Sequence, residues 1–177
     1  MSTNTANNYF ELFGLTPAFN IDTATLEMRF RKIQSESHPD RFVTAPAAEK
    51  LKSMQLATLA NEAYQTLKHP ATRAKYLLEL QGITAISETN TAMPADFLMQ
   101  QMEWREVLED AKAAQNIDAL DDLLGEIKTE ASVLKTELIS LLDQKHDYDA
   151  ATSSTRKLIF MDKVSADINK VIAQIEN

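Results

Sequence analysis

The longest regular pattern in this sequence is a run of apolar residues that begins at Ile117. Its members alternate in spacings of three and four residues, and they are Ile117, Leu120, Leu124, Ile127, Ala131, Leu134, Leu138 and Leu141. This is the heptad seam by which helices pack in bundles and coiled coils. After a predicted turn around residues 146–148, a second seam is formed by Leu158, Met161, Ile168, Ile172 and Ile175. With a further helix predicted from Asp96, these seams predict a three-helix bundle.

The first half of the chain has helical periodicity in shorter segments. The pattern predicts a brief helix closed by Gly14, a second helix from Asp22 to just before Pro39, a third over about 47–68, and a fourth from Pro70 to Gly82. Only 3 glycines and 5 prolines occur in 177 residues, too few for an architecture of many strands and turns. The chain is therefore predicted to be all-α, with a helical hairpin and short flanking helices before the bundle.

Charge and composition divide the chain into two predicted domains. Residues 1–80 carry 9 Lys/Arg and 8 Asp/Glu, whereas residues 81–177 carry 9 Lys/Arg and 18 Asp/Glu. A stretch rich in Ser, Thr, Asn and Ala, with little periodicity, separates the two helical regions. We therefore predict an N-terminal tail over 1–8, a first domain over 9–80, a linker over 81–95 and the bundle over 96–177.

Several classes of function are poorly matched by the composition. The acidic second half disfavours nucleic acid and anionic membranes as partners, because phosphates need cationic neutralisation. No apolar run approaches the roughly 20 residues that cross a bilayer, and the first residues do not read as a signal peptide. There is no cysteine, and the three histidines lie in separate predicted turns. We therefore expect a cytoplasmic protein with no catalytic residues, no metal and no cofactor.

The tripeptide His38-Pro39-Asp40 lies between two predicted helices and has the character of a docking loop. Proline stiffens the loop, and the histidine and aspartate are positioned to hydrogen-bond a partner. On the preceding helix Arg29 and Lys32 share a face, while Arg31 and Arg41 add positive charge nearby. Such a strip suits an acidic protein surface. The alternative is an ordinary solvated helix face, with Glu27 and Arg31 as an i,i+4 ion pair.

The predicted helix from Asp96 carries more apolar surface than one core stripe explains. We assign Phe97, Gln101, Trp104, Leu108 and Ala111 to the bundle core. A different arc is formed by Leu98, Met99 and Met102, edged by the carboxylates of Glu103 and Glu106. Phe160 lies off the main seam of its own helix and could complete this patch. The composition is that of a binding surface, although a wide apolar surface in a bundle can also be pure core.

The first half resembles the J-domain family. The resemblance covers about residues 9–80 and rests on the tripeptide, the helix order and the stretch Ala60-Asn61-Glu62-Ala63-Tyr64-Gln65-Thr66-Leu67. J-domains activate the ATPase of DnaK-type chaperones. The resemblance implies that the ATPase-binding residues here are His38, Pro39, Asp40, Arg29, Lys32, Arg31 and Arg41.

Nearly the whole chain is similar to the HscB family, the co-chaperones of bacterial iron–sulfur cluster assembly. The matching stretches include residues 8–15, 73–78, 97–106 and 156–163. This resemblance implies two partners, the DnaK-type ATPase HscA and the scaffold protein IscU. It also implies the scaffold-binding residues Leu98, Met99, Met102, Glu103, Arg105, Glu106 and Phe160. Gln101, Met102 and Trp104 depart from the leucine-rich pattern of the family.

Two alternatives to this function remain at the level of sequence. The chain could be a J-domain co-chaperone for a different client protein, because client choice rests on few side chains. It could also be a helical adaptor without a chaperone role. Because the two heptad seams can satisfy each other within one chain, we expect a monomer.

Overall fold

The computed structural model describes residues 7–87 and 92–177, and the regular structure within these ranges is helical. The α-helices are α1 (Tyr9–Leu12), α2 (Thr23–Glu36), α3 (Ala47–Lys68), α4 (Pro70–Leu80), α5 (Ala95–Ala113), α6 (Ile117–Leu138) and α7 (Tyr148–Glu176). A 3-10 turn covers Pro39–Phe42, and a π-helical segment covers Ile139–Gln144. The predicted all-α fold is confirmed. No helix in the described ranges is long and apolar enough to cross a membrane.

The first of two compact units, residues 1–77, is built on the hairpin of α2 and α3. The α1 helix packs on α3 beside this hairpin. The core is formed by Phe10, Phe13, Leu26, Phe30, Ala60, Ala63 and Leu67. The rings of Phe30 and Tyr64 are stacked, with centroids 4.1 Å apart, so α2 and α3 are joined by aromatic contact as well as by aliphatic packing.

The N-terminus of α2 has the cap predicted from Asp22. The Asp22 carboxylate accepts hydrogen bonds from the backbone N–H groups of Ala24 and Thr25 and from the Thr25 hydroxyl. The bond from the Thr25 hydroxyl, with the backbone bonds, lowers the pKa of the Asp22 carboxyl, because these donors favour its charged form. The cap fixes where α2 begins, and with it the register of the stripe from Leu26 to Phe30.

Gly14 ends α1 in a left-handed conformation that a side chain would disturb. Its φ is +62°, and the bonds from Gly14 N–H to the Glu11 carbonyl and from Leu15 N–H to the Phe10 carbonyl form a Schellman cap. A Cβ at this position would lie 2.8 Å from Nη1 of Arg29. That guanidinium donates to the carbonyls of Phe13 and Gly14, and so joins the end of α1 to α2.

Replacing Gly14 with alanine is therefore expected to destabilise the first unit by about 2 kcal/mol, through left-handed strain and displacement of Arg29. Two other glycines provide the controls. Gly82 is also left-handed, but a Cβ there meets nothing within 4 Å, so the loss of stability in Gly82→Ala measures the left-handed strain without a clash.

Gly125 is helical with open space around it, and Gly125→Ala is expected to stabilise the protein by about 0.5–1 kcal/mol. Urea unfolding checks the order of the three variants, and an unchanged Gly14→Ala midpoint would contradict the strain.

The second compact unit, residues 78–177, contains the predicted three-helix bundle. The α6 helix packs on both α5 and α7, and the short connections make neighbouring helices antiparallel. Six of the eight predicted seam residues of α6 are buried, from Leu120 to Leu138, while Ile117 is half-buried. On α7, Leu158, Met161 and Ile168 are buried as predicted. Ile172 and Ile175 are half-buried, and the buried neighbour there is Val171.

The end of the first seam departs from the heptad prediction. Leu141 is only half-buried, and Leu142 occupies the core in its place. These residues belong to the π-helical segment, in which the backbone N–H of Lys145 bonds to the carbonyl of Ser140. Because i→i+5 winding adds a residue to the turn, the buried position moves on by one. The assignment of Leu141 to the seam was wrong for this reason.

The predicted linker is partly packed within the second unit. Ala85 is buried, and the guanidinium of Arg156 on α7 donates to the carbonyls of Ala85 and Ala92. Residues 88–91 of the predicted linker lie outside the described residues, as do residues 1–6 of the predicted tail. Arg156 therefore fastens both flanks of this stretch to α7.

Candidate functional site

The tripeptide forms an exposed 3-10 turn between α2 and α3. His38 is the N-cap of this turn, and its Nδ1 accepts a hydrogen bond from the backbone N–H of Asp40 at 3.3 Å. The Asp40 carboxylate oxygen lies 3.6 Å from the same nitrogen, too far for a hydrogen bond. An accepting Nδ1 places the ring proton on Nε2. The turn therefore presents an imidazole N–H and a carboxylate from a backbone that Pro39 restricts.

Two serines that sequence reasoning missed hold the base of this turn. Ser37 is buried and its hydroxyl donates to the carbonyl of Ile33 at 2.7 Å. Ser53 on α3 is also buried and donates to the carbonyl of Ser37 at 2.8 Å. The bond joins α2 to α3 immediately beside His38. A signal was available for Ser53, because it lies seven residues before Ala60 and fourteen before Leu67, in the inward register of α3.

The four predicted docking cations have different surroundings. Arg29 is half-buried and bonds to the carbonyls that end α1, so its Nη1 has a structural role within the unit. Arg31 forms the i,i+4 pair with Glu27 at 2.6 Å. The Lys32 Nζ lies 4.0 Å from a Glu36 carboxylate oxygen, and Arg41 is exposed on the turn itself. Their part in docking stays a prediction, with Lys32 and Arg41 the least engaged of the four.

On α5 the predicted core and the predicted patch lie on different faces. Phe97, Trp104 and Ala111 are buried, while Gln101 and Leu108 are half-buried. The indole N–H of Trp104 donates to a Glu126 carboxylate oxygen on α6 at 3.0 Å, and this bond fixes the rotation of α5 in the bundle.

The apolar arc of α5 faces away from the bundle core. The side chains of Leu98, Met99 and Met102 are 46%, 64% and 71% exposed. The interpretation of this arc as core is therefore wrong. An apolar arc that the bundle leaves exposed is compatible with the predicted binding patch, whose role in binding stays a prediction.

Phe160 completes the predicted patch from the neighbouring helix. It is half-buried, and its ring meets that of Phe97 edge to face, with centroids 5.8 Å apart. Together with Met102 and Arg105 it lines a groove of about 460 Å³ between α5 and α7. Glu103 and Glu106 are exposed on the opposite flank of α5. The structure thus brings Met102, Arg105 and Phe160 together.

The similarity of this chain to known proteins extends over nearly its whole length. The family model of the HSCB C-terminal oligomerisation domain matches residues 93–169. A co-chaperone protein HscB homolog of Paraburkholderia phymatum is 47% identical over 171 residues, which cover 97% of each chain. This chain belongs to the HscB family. Family membership confirms a J-domain co-chaperone of iron–sulfur cluster assembly, and its HscB relatives are co-chaperones rather than enzymes.

Solved HscB structures have the same fold. Chaperone HscB from Vibrio cholerae is 39% identical, with a TM-score of 0.83, and the match covers 95% of this chain and 99% of that one. Human co-chaperone protein HscB is 29% identical, with a TM-score of 0.84, over 96% of this chain and 84% of the human chain. The predicted J-domain followed by a helical C-terminal domain is therefore confirmed as the HscB fold.

Proposed function

We propose that this chain stimulates the ATPase of HscA and delivers the scaffold protein IscU to it, in the cytoplasm and as a monomer. The observation that carries the proposal is the exposed arc of Leu98, Met99 and Met102 in a chain that also exposes a J-domain tripeptide. The two surfaces belong to separate compact units. Each can therefore engage a different partner.

The first surface acts on the ATPase without performing chemistry. The His38 ring is held by its bond from the Asp40 backbone N–H, and Pro39 restricts the backbone that carries both side chains, so less conformational entropy is lost when they bind. An exposed carboxylate can accept from an arginine or a backbone N–H of the chaperone. Lys32 and Arg41 attract an acidic surface and speed its encounter with the turn. ATP hydrolysis itself takes place on the chaperone.

The second surface holds the client through burial of apolar side chains. Each fully buried methionine or leucine contributes about 1.5–3 kcal/mol, so the three residues together provide an apolar anchor for a client. Methionine adapts to irregular contacts, and Glu103 and Glu106 favour a client with cations beside its apolar residues. Phe160 provides a rigid aromatic edge. This surface determines which protein is delivered.

The two surfaces lie on one chain, and this connection explains delivery. A client held by the second unit is at a high effective concentration for the chaperone that the first unit engages. ATP hydrolysis on the chaperone then coincides with the presence of the client.

The test is ATP turnover by HscA with this chain, with IscU, and with both. We expect both additions together to accelerate turnover by more than the product of their separate effects. Stimulation by the chain without synergy would indicate a different client. No stimulation under any condition would contradict the co-chaperone mechanism and favour a helical adaptor.

A further inference from the structure

The groove between α5 and α7 carries much of the positive charge of the second half of the chain. Residues 81–177 contain nine Lys/Arg and eighteen Asp/Glu, a net charge of −9. Four of the nine cations line this one groove, with only two of the eighteen carboxylates. The cations are Arg105, Lys112, Lys163 and Lys170, and the carboxylates are Glu109 and Asp167. The groove is therefore a basic island, with a net charge of +2, on an acidic surface.

These cations are exposed and available to a partner. In the described part of the chain, none of the four lies within 4.0 Å of a carboxylate oxygen. Two of them come from α5 and two from α7, on either side of Leu108, Val164 and Val171. A groove with an apolar floor and a cationic rim is complementary to an amphipathic segment with acidic edges.

The opposite flank of α5 has the reverse charge. Glu103, Glu106 and Asp110 follow one another at helical spacing beside Met99, and all are exposed. The exposed apolar arc therefore separates an acidic flank from the basic groove. A partner that covers the whole of this face therefore meets negative charge on one side of the arc and positive charge on the other.

We propose that this groove binds an acidic, amphipathic segment of the client protein, and that the same client also contacts the exposed arc of Leu98, Met99 and Met102 (the methionine arc). The inference rests on the proposed function, because Met102, Arg105 and Phe160 line the groove and are also among the predicted client-binding residues. The acidic segment pairs with the groove while a basic element of the client lies over Glu103 and Glu106. Docking in the reversed orientation would bring like charges together, so the pair of flanks fixes the orientation of the client.

The dimensions of the groove suit a short helical or extended segment. The α5 side runs from Gln101 to Lys112, about 16 Å at 1.5 Å per residue. The volume of about 460 Å³ accepts several apolar side chains rather than a whole domain.

The test reverses the charge of the groove and compares it with a matched reversal elsewhere. Lys163→Glu/Lys170→Glu changes two lysines seven residues apart on α7, and Lys128→Glu/Lys135→Glu changes two exposed lysines seven residues apart on α6, outside the groove. In titration calorimetry with IscU, we expect the groove variant to bind at least tenfold more weakly and the α6 variant to change less than threefold. The difference should shrink in high salt, because ions screen exposed charges.

Two further measurements separate the possible failures. Met99→Ala reports the methionine arc alone. If Met99→Ala loses IscU binding while the groove variant binds normally, the groove does not bind the client. The proposed function is then unaffected. Normal binding in both variants would overturn both the groove and the exposed arc of α5 as binding sites for IscU. Two other results for the groove variant would also overturn the inference, if its affinity for IscU is unchanged. A changed sedimentation coefficient would assign the groove to a second copy of this chain, and a changed stimulation of HscA in the absence of IscU would assign it to the chaperone. Lys163→Gln/Lys170→Gln should give an intermediate loss, and thermal unfolding verifies that each variant is folded.

Discussion

Replacing His38 with glutamine is expected to abolish stimulation of HscA turnover and to leave the affinity for IscU unchanged within about twofold. Glutamine cannot reproduce the rigid ring whose Nδ1 caps the 3-10 turn and whose other nitrogen, Nε2, is left to donate to a partner. The turn loses its cap, and the backbone N–H of Asp40 loses its hydrogen-bond partner. Contacts made only in the activated chaperone complex are lost with them, so turnover should return to its basal rate.

His69→Gln is the matched control for this prediction. His69 is exposed in the same unit and follows the last residue of α3. Ser53, which bonds to Ser37 beside His38, lies 16 residues before His69 along α3, a separation of about 24 Å. We expect His69→Gln to stimulate turnover like the wild type. Stimulation by His38→Gln equal to that by His69→Gln would contradict the role of the tripeptide.

Features that depend on spacing along one helix were predictable from the sequence. The heptad seam placed Leu120, Ile127 and Leu134 in the core because 3.6-residue periodicity leaves one face to bury. The caps at Asp22 and Gly14 were predictable because each depends on the backbone needs of its own helix end. The same spacing separated the Leu98–Met102 arc from the core stripe of α5, but it did not decide whether the arc is exposed, because a bundle can also bury a wide apolar face.

Features that depend on contacts between distant segments were not predictable from spacing. Arg29 shares a face with Lys32, but the carbonyls it bonds belong to Phe13 and Gly14 just after α1, sixteen and fifteen residues earlier. The π-helical winding that moves Leu142 into the core has no local sequence signal. The basic groove brings together residues of α5 and α7 about 58 positions apart, such as Arg105 and Lys163. These three features could be seen only once the packing of the helices against one another was known.

Replacing both Met99 and Met102 with alanine is expected to weaken IscU binding at least a hundredfold. Burial of a methionine contributes about 1.5–3 kcal/mol, and each 1.4 kcal/mol is a tenfold change in affinity. Because both side chains are largely exposed and alanine favours helices, the free energy of unfolding should change by less than about 0.5 kcal/mol per site. Loss of binding in calorimetry would therefore not reflect unfolding.

Met54→Ala is the matched control, because Met54 is 63% exposed on α3, almost as exposed as Met99. It should bind IscU like the wild type, since it lies on the other unit. Phe160→Ala should also weaken binding, but its ring supports Phe97, so a loss there combines recognition with packing. The methionine pair is the cleaner probe for this reason. If the double variant binds IscU as tightly as Met54→Ala does, the exposed arc of α5 is not the client site, whatever the tripeptide does.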